Sequence, residues 1–357
     1  MVKSSRTDPL KRLTSTGAGD VSAIPEINPY RPEEFREESF YSPMLQGTGT
    51  NRFTQISTRK STPAVDAITG LATITSGSLK VFIERYNALE GGLRVSTHKL
   101  LDACTIALTA QNDYRGSGDL RTLVVIPLED YMARCGIPLT KPSKDKTRRR
   151  IKQDLETLYS TSIEWSEPRG EETCDFSKMR ICTMVAVKNG KIMMDFSPAI
   201  ASYLTNAYIM QYPLELFKAD ERNPSAYYIG KKLLQHFSFD NNQRRGTSNI
   251  ISIRALLDAC PDIPSYQEVM KADRHLDQRI IAPFENAIGS LSSFIRWEYC
   301  NGKGVALSEE QLQSFTYATF VKCFIKFEVL HAPDLSCRLE GKKGSPRVRK
   351  RKKSESE

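Results

Sequence analysis

Two stretches of this chain share one pattern, IPLEDYMARCGIP at residues 126–138 and ISIRALLDACPDIP at residues 251–264. Each is followed by a helical pattern and then by a short apolar segment that contains a tryptophan, at Trp165 and Trp297. The offset between the copies is 125 residues at the first position and 132 at the tryptophans. This period is far longer than the ~20–50 residues of repeat arrays, so the pattern predicts two tandem domains of one fold.

The bulk composition is typical of a polar, multi-domain chain. A length of 357 residues predicts two or three domains, and a hydrophobic content of 39% suits small cores. The mean hydropathy is -0.42. No apolar run approaches the ~20 residues needed to span a bilayer, and no apolar stretch follows the basic start of the chain. We therefore predict a cytoplasmic protein without membrane contact.

Cysteine usage gives the same expectation. The eight cysteines include no C-x-x-C pair. Four of them, Cys104, Cys135, Cys260 and Cys323, fall at apolar positions of predicted elements. They are interpreted as reduced core residues, so neither a disulfide framework nor a zinc site is predicted. We predict no metal and no cofactor.

The first copy has clear helix and strand signals. Residues 97–110 carry a helical apolar stripe after a capping Ser96, and Asn189-Gly190 is a strong hairpin signal. A longer helix, capped by Ser143, is expected to bury Ile151, Leu155, Leu158 and Tyr159. The predicted elements, in order, are a helix over 97–110, a strand over 122–126, a helix over 128–134, a helix over 143–160, and strands over 160–165, 180–187 and 192–196.

The second copy repeats this order. Pro224 and Ser225 open the first helix, and Pro261 and Pro264 stop the second. The third helix is long, with a kink expected at Pro283. The predicted elements, in order, are a helix over 224–237, a strand over 250–253, a helix over 254–259, a helix over 269–291, and strands over 295–300 and 317–329, with a turn at Asn301-Gly302.

This order is that of a winged helix, a helix-turn-helix followed by a β-hairpin wing. We predict an α+β protein with winged-helix domains at 78–204 and 212–332. Trp165 and Trp297 would each start a wing strand as core residues. Residues 1–75 are predicted to be disordered because they are rich in Ser, Thr, Gly and Pro. Residues 29–41 carry aromatics, and a short docking segment is the alternative there.

The basic C-terminal tail, residues 338–357, is also predicted to be disordered. The chain carries a formal net charge of +9, and eight basic residues lie between Lys342 and Lys353. Such a tail can bind polyanions without sequence preference, act as an import signal or only increase solubility. It therefore does not discriminate between functions.

The first candidate DNA-binding site is the start of the long helix in the first copy. Six of the ten residues from Lys144 to Gln153 are basic and one is acidic. A helix N-terminus favours phosphate, and Arg can bind guanine through O6 and N7. Arg149, Lys152, Gln153 and Glu156 should point outward, opposite the apolar face. The predicted contacts are Lys144, Lys146, Arg148, Arg149, Arg150, Lys152 and Gln153; the alternative is a solvated charged face.

Further candidate contacts are more scattered. The long helix of the second copy is less basic, with Asp273 and Asp277 between its cations. On it, Gln278 could bind adenine and Arg279 guanine. The wing turns carry lysines, and a polar loop over 241–246 carries two arginines. These predicted contacts are Lys188, Lys191, Arg244, Arg245, Lys271, Arg274, Gln278, Arg279 and Lys303.

The sequence does not indicate an enzyme. It has no G-x-x-x-x-G-K-[ST] phosphate loop and no G-x-S-x-G motif. Its four histidines, His98, His236, His275 and His331, form no H-x-H or H-x-x-x-H pair that could ligate a metal. No catalytic residue is therefore predicted.

Over about residues 78–332 the chain resembles the plasmid replication initiators built from two winged helices. The resemblance rests on the duplicated plan and on the stretches Ser96–Ala103, Lys146–Ile151 and Trp297–Cys300. It implies a protein that binds origin repeats, helps to open the adjacent AT-rich duplex and recruits host helicase-loading machinery. It also implies a switch between a repressing homodimer and an initiating monomer, in a bacterial cytoplasm at the nucleoid.

The resemblance further implies that the second domain makes the main major-groove contact, while the first binds DNA as a monomer or helps dimerisation. This sequence departs from that expectation, because its denser basic helix is in the first copy. Besides the initiator, three hypotheses stay open: a transcriptional regulator, a winged-helix scaffold that binds protein, and a primase or nicking enzyme. The last would need a metal-binding cluster that the sequence does not show.

Overall fold

The computed structural model describes residues 40–46, 53–54, 63–76, 79–89, 93–112, 120–169, 173–205, 208–238, 245–272 and 275–331. The chain divides into two compact units, Met1–Glu38 and Ser39–Glu357, and every described residue belongs to the second. The predictions for residues 1–39 and for the basic tail lie outside the described residues, as do those for Arg244 and Arg274.

The N-terminal part and the first repeat, which we define as residues 95–196, mix helices and strands. In chain order the elements are β1 Tyr41–Gln46, β2 Ala64–Val65, β3 Ala72–Ser76, β4 Leu79–Ile83, α1 Val95–Gln111, β5 Leu123–Pro127, α2 Leu128–Arg134, α3 Lys141–Tyr159, β6 Thr161–Arg169, β7 Thr173–Arg180, β8 Cys182–Lys188 and β9 Lys191–Phe196.

A connecting segment and the second repeat, residues 224–329, follow. In chain order the elements are α4 Pro198–Thr205, β10 Tyr208–Pro213, α5 Pro224–Ser238, β11 Ile250–Ser252, α6 Ile253–Leu257, α7 Tyr266–Ala272, α8 Ala282–Gly289, β12 Ile295–Cys300, α9 Glu309–Gln313, α10 Tyr317–Phe320 and β13 Phe324–Val329. The chain therefore has the mixed helix and sheet content that the sequence predicts.

Each repeat holds one three-stranded antiparallel sheet with the same strand order. In the first repeat the order is β5-β9-β8, and in the second it is β11-β13-β12. In both, the strand between the first two helices pairs with the last strand of the repeat. The hairpin predicted at Asn189-Gly190 is confirmed, because both residues have positive φ (51° and 70°) and join β8 to β9.

Trp165 lies in a different, five-stranded sheet, so its predicted place in a wing strand is wrong. The order of this sheet is β2-β3-β4-β6-β7, and Trp165 lies in β6, opposite Leu79 of β4 and Ser177 of β7. Trp165 is therefore not in a wing strand, whereas Trp297 lies in β12 of the second three-stranded sheet. The β6–β7 hairpin is inserted between α3 and β8, and its partner strand β4 precedes the repeat, so the repeat pattern could not reveal it.

The predicted disorder before residue 75 is wrong where the structure describes strands. β1 pairs with β10 across more than 160 residues of sequence, and β3 pairs with β4. Met44 and Leu45 of β1 are fully buried. Composition alone predicted disorder there because the stabilising partner of β1 is remote in the sequence.

Helix ends also differ from the prediction. α1 starts at Val95, so Ser96 lies inside the helix and does not cap it. α3 starts at Lys141 rather than after Ser143, because Pro142 is tolerated in a first helical turn. Tyr159, predicted to be buried, is 38% exposed at the end of α3, where the Arg180 guanidinium lies 5.9 Å from its ring centroid.

Two further corrections concern the second repeat. The long helix predicted over 269–291 is described as α7, a π-helical turn over Asp277–Ile281, and α8, with Pro283 in the first turn of α8. The strand predicted from Tyr317 begins only at Phe324. Residues Tyr317–Phe320 form α10 instead, capped by Thr316, whose Oγ1 accepts a hydrogen bond from the Thr319 amide.

The two repeats share a buried junction between their first helices, α1 and α5. Lys231 of α5 donates to Asp102 of α1 at 2.6 Å, and each side chain is only 3% exposed. The Tyr227 hydroxyl donates to the other Asp102 oxygen at 2.5 Å. Lys99 of α1 donates to the carbonyl of Ala219, which precedes α5, at 2.6 Å.

Candidate nucleic-acid interface

The basic helix α3 is held on the first repeat by its apolar face. Ile151, Leu155 and Leu158 are each at most 2% exposed. Asp154 lies on the same buried face, where its Oδ1 accepts hydrogen bonds from Thr97 at 2.6 Å and Ser96 at 3.1 Å. Burial raises the pKa of Asp154, although these two hydroxyl donors counteract the shift. α1 therefore fixes the orientation of α3 about its own axis.

The opposite face of α3 is exposed as the sequence predicts. Arg149, Lys152, Gln153 and Glu156 are all exposed, and so are Lys146 and Arg148. Within the described residues, Lys146, Arg148 and Arg149 form no ion pair. Lys152 has only a long contact of 3.9 Å to Glu156, one helical turn further on. This exposed face, Lys146, Arg148, Arg149, Lys152 and Gln153, is named the α3 basic face.

Two of the predicted DNA contacts on α3 form ion pairs with carboxylates of the chain itself. Lys144 binds Glu129 of α2 at 2.5 Å. Arg150 forms an ion pair with Glu221, which lies just before α5. Sequence reasoning did not find these pairs, because both carboxylates come from other elements. Fewer cations of α3 are therefore without a carboxylate partner than its seven basic residues suggest.

The wing of the first repeat presents two lysines. Lys188 and Lys191 are exposed on either side of the Asn189-Gly190 turn. The carbonyl of Gly190 accepts a hydrogen bond from the Leu128 amide at 2.8 Å, at the start of α2. The wing is thus tied at its turn to the helix that precedes α3.

The second repeat places its predicted contacts on an interrupted helix. Lys271, Gln278 and Arg279 are exposed, and Arg245 is exposed in the preceding loop. Gln278 and Arg279 lie on the π-helical turn, which packs Ile280 against the core. Pro283 follows this turn and has no amide hydrogen, so the regular helical ladder cannot run through it.

The connection between β12 and β13 in the second repeat is long. Lys303 is exposed at the turn after β12, where Asn301 Oδ1 accepts from the Lys303 amide at 2.9 Å. This connection then carries α9 and α10, and Tyr317 of α10 stacks on Tyr266 at the start of α7, with ring centroids 4.3 Å apart. A cleft of about 270 Å³ lies beside this stack, between α6 and the π-helical turn. The sequence predicts a strand at Tyr317, so it could not reveal the stacking of Tyr317 on Tyr266.

Within the described residues no three His, Cys, Asp or Glu side chains gather as metal ligands. In the same part of the chain, no helix is both long and apolar enough to cross a membrane. The arrangement that stands out is a helix with one buried face and one cationic face, flanked by a lysine-bearing wing, which matches the charge and shape of duplex DNA.

The comparison with protein families agrees with this geometry. A model described as "Initiator Replication protein, WH1" matches residues 85–220, from just before α1 to just before α5. Over this segment the chain matches the WH1 domain of replication initiators, and the resemblance predicted from the sequence is confirmed there. The predicted resemblance of residues 221–332 stays a prediction.

Comparison with curated proteins found no match. Among solved structures, similarity is found to the Pi initiator protein in complex with iteron DNA, at 14% identity and a TM-score of 0.40, covering 72% of this chain and 100% of that one. Domains 2 and 3 of RctB are similar at 10% identity and a TM-score of 0.41, covering 79% and 100%. These values are too low to transfer a function.

Proposed function

We propose that this protein is a sequence-specific, DNA-binding replication initiator of a plasmid or mobile element. It binds origin repeats and promotes opening of the adjacent duplex. Its two winged-helix domains, 78–204 and 212–332, act in tandem on double-stranded DNA. The observation that carries the proposal is that the WH1 match includes α3, whose cationic face is open while its other face is buried.

Each winged helix contributes its own contacts to DNA. In the first domain, the α3 basic face binds the major groove and Lys188 and Lys191 of the wing bind the backbone. In the second, Lys271, Gln278, Arg279, Lys303 and Arg245 make the corresponding contacts. The identical strand order of the two three-stranded sheets supports the tandem arrangement. A bacterial cytoplasmic, nucleoid-associated protein that recruits helicase-loading machinery and forms homodimers fits this role.

The test is selection of bound fragments from random DNA and from DNA flanking the gene, at about physiological salt. Enrichment of repeated sites beside the gene supports the proposal. A plasmid that carries the gene and this DNA should then replicate autonomously. Binding at a promoter without replication would favour a transcriptional regulator, and absence of salt-dependent DNA binding would favour a protein-binding scaffold.

A further inference from the structure

Strand β1 lies outside the region matched by the WH1 model, yet it is among the most buried segments of the chain. It pairs antiparallel with β10 in a register running from Tyr41 opposite Pro213 to Gln46 opposite Tyr208. Ser42 is 1% exposed, and Met44 and Leu45 are fully buried. β10 itself lies in the segment that connects the two repeats. β1 and β10 therefore form a two-stranded sheet, in which β10 belongs to the segment that connects the two repeats.

The N-terminal end of β1 contacts the end of the second repeat. The Tyr41 hydroxyl donates to the main-chain carbonyl of Leu330, directly after β13. The ring of Phe40 stacks on His331, with centroids 5.3 Å apart. Burial raises the pKa of Tyr41 to about 12, so its hydroxyl keeps its proton and stays a donor at neutral pH.

The C-terminal end of β1 contacts the first repeat. The Leu45 amide donates to Thr109 Oγ1 of α1 at 3.0 Å. The next described part of the same segment, Phe53 and Thr54, continues this contact. Phe53 is 1% exposed and packs on His98 of α1, with ring centroids 5.6 Å apart. The other side of His98 meets Tyr228 of α5 at 5.6 Å.

We name two segments that carry proposed DNA contacts the DNA-reading helices: α3, and the π-helical turn with α8, residues 277–289. The contacts described above connect them through packed elements. From α3, the path runs through the Asp154 hydrogen bonds to α1 and through the Asp102–Lys231 pair to α5. From α5 it reaches the residues just after α8, because a Cβ on Gly230 would lie 3.4 Å from Leu291 Cδ1. β1 closes this path from the outside, since it contacts α1 at one end and the end of β13 at the other.

We propose that β1 is a positioning element, which fixes the separation and rotation of the two DNA-reading helices and so sets the half-site spacing that the protein accepts. This inference rests on the proposed function. When the two helices are rigidly coupled, the second binds DNA intramolecularly once the first is bound, which raises the affinity. This gain in affinity is lost when the spacing of the half-sites prevents both helices from binding at once. A strand that only added stability would not influence which spacing is preferred.

The test measures affinity against spacing. The DNA is the strongest-bound selected fragment, with 5 or 10 base pairs inserted between the two footprinted halves. Five base pairs turn the second half-site to the opposite face of the duplex, and ten restore the face. The wild-type protein should bind the 5-base-pair insertion at least ~100-fold more weakly than the parent.

The variant is Phe40→Ala with Tyr41→Ala, which removes both contacts of β1 to Leu330 and His331. It should bind the parent fragment within ~10-fold of wild type, while the loss on 5-base-pair insertion falls to ~10-fold or less. Tyr41→Phe removes only the hydroxyl that donates to Leu330 and keeps the buried ring, and it should shift the spacing profile in the same direction. Phe82→Ala, a half-buried aromatic on β4 away from β1, is the matched control and should keep the wild-type profile.

The possible outcomes distinguish a failure of the positioning role of β1 from a failure of the proposed function. A wild-type profile in both the double variant and Tyr41→Phe overturns the positioning role of β1, and so does a wild-type protein indifferent to spacing. If wild-type protein binds none of the selected fragments above the level of random DNA, the proposed function itself fails, and the positioning role fails with it.

Discussion

Lys231→Met tests the buried junction between α1 and α5. The Lys231 ammonium and the Asp102 carboxylate are 2.6 Å apart and each 3% exposed, so the substitution leaves a buried carboxylate without its cation. Removing one partner of a buried pair costs about 3–5 kcal/mol of unfolding free energy. For a chain of this size, about 2 °C per kcal/mol gives a decrease in Tm of about 6–10 °C.

The loss of unfolding free energy should depend on which polar groups of the junction stay buried without a partner. Replacing both charged groups by apolar ones is often neutral, but the Tyr227 hydroxyl, 2.5 Å from Asp102, would then lack its acceptor. The triple variant Asp102→Leu, Lys231→Met, Tyr227→Phe removes all three polar groups and should recover most of the stability lost in Lys231→Met. Urea unfolding followed by tryptophan fluorescence measures both variants. The reasoning is refuted if Lys231→Met costs less than about 1 kcal/mol, or if the triple variant is no more stable than the single one.

Two other predictions concern stability. Gly230→Ala should lower the unfolding free energy by about 1–3 kcal/mol, because a Cβ would lie 2.9 Å from Leu216 Cδ1. Gly190→Ala, with no neighbour within 4 Å and a φ of 70°, should cost only the ~1–2 kcal/mol of left-handed strain. A Gly230→Ala variant that is as stable as wild type in thermal unfolding would contradict the packing argument. Burial, together with the nearby charge of Lys231, lowers the pKa of His98 to about 3. The unfolded chain therefore takes up a proton near pH 6.5 that the folded chain does not bind. The free energy of unfolding should therefore fall as the pH drops from about 6.5 towards 3, by up to about 1.4 kcal/mol per pH unit. His98→Phe should flatten this pH dependence in unfolding measured at pH 7, 6 and 5. An unchanged pH dependence in the variant would show that His98 is not its cause.

Local chemistry explains what the sequence could predict. The hairpin at Asn189-Gly190 needs only two residues that tolerate positive φ, and the helix Leu128–Arg134 is bounded by a proline and by Gly136, which has a φ of 66°. The exposed face of α3 follows from helical periodicity alone, because its buried positions are spaced by three and four residues.

Remote partners explain what the sequence could not predict. β1 is stabilised by β10, and Trp165 belongs to a sheet whose strand β4 precedes the repeat. The pairing of Arg150 with Glu221 likewise depends on how the connecting segment lies against α3. Such contacts leave no mark in composition or periodicity, so the sequence cannot show which cations of α3 pair with carboxylates of the chain.

The measurement that tests the central claim most directly is the salt dependence of DNA binding by Arg149→Ala with Lys152→Ala, on the α3 basic face. The matched control is Lys80→Ala with Lys178→Ala, which removes the same charge from the outer face of the five-stranded sheet, where both lysines are exposed. The α3 variant should bind the selected fragment more weakly. Its negative slope of log K against log salt should be less steep, by about 0.9 for each phosphate that the variant no longer neutralises, while the control keeps the wild-type slope. An unchanged slope in the α3 variant, or an equal loss of steepness in the control, would contradict the account.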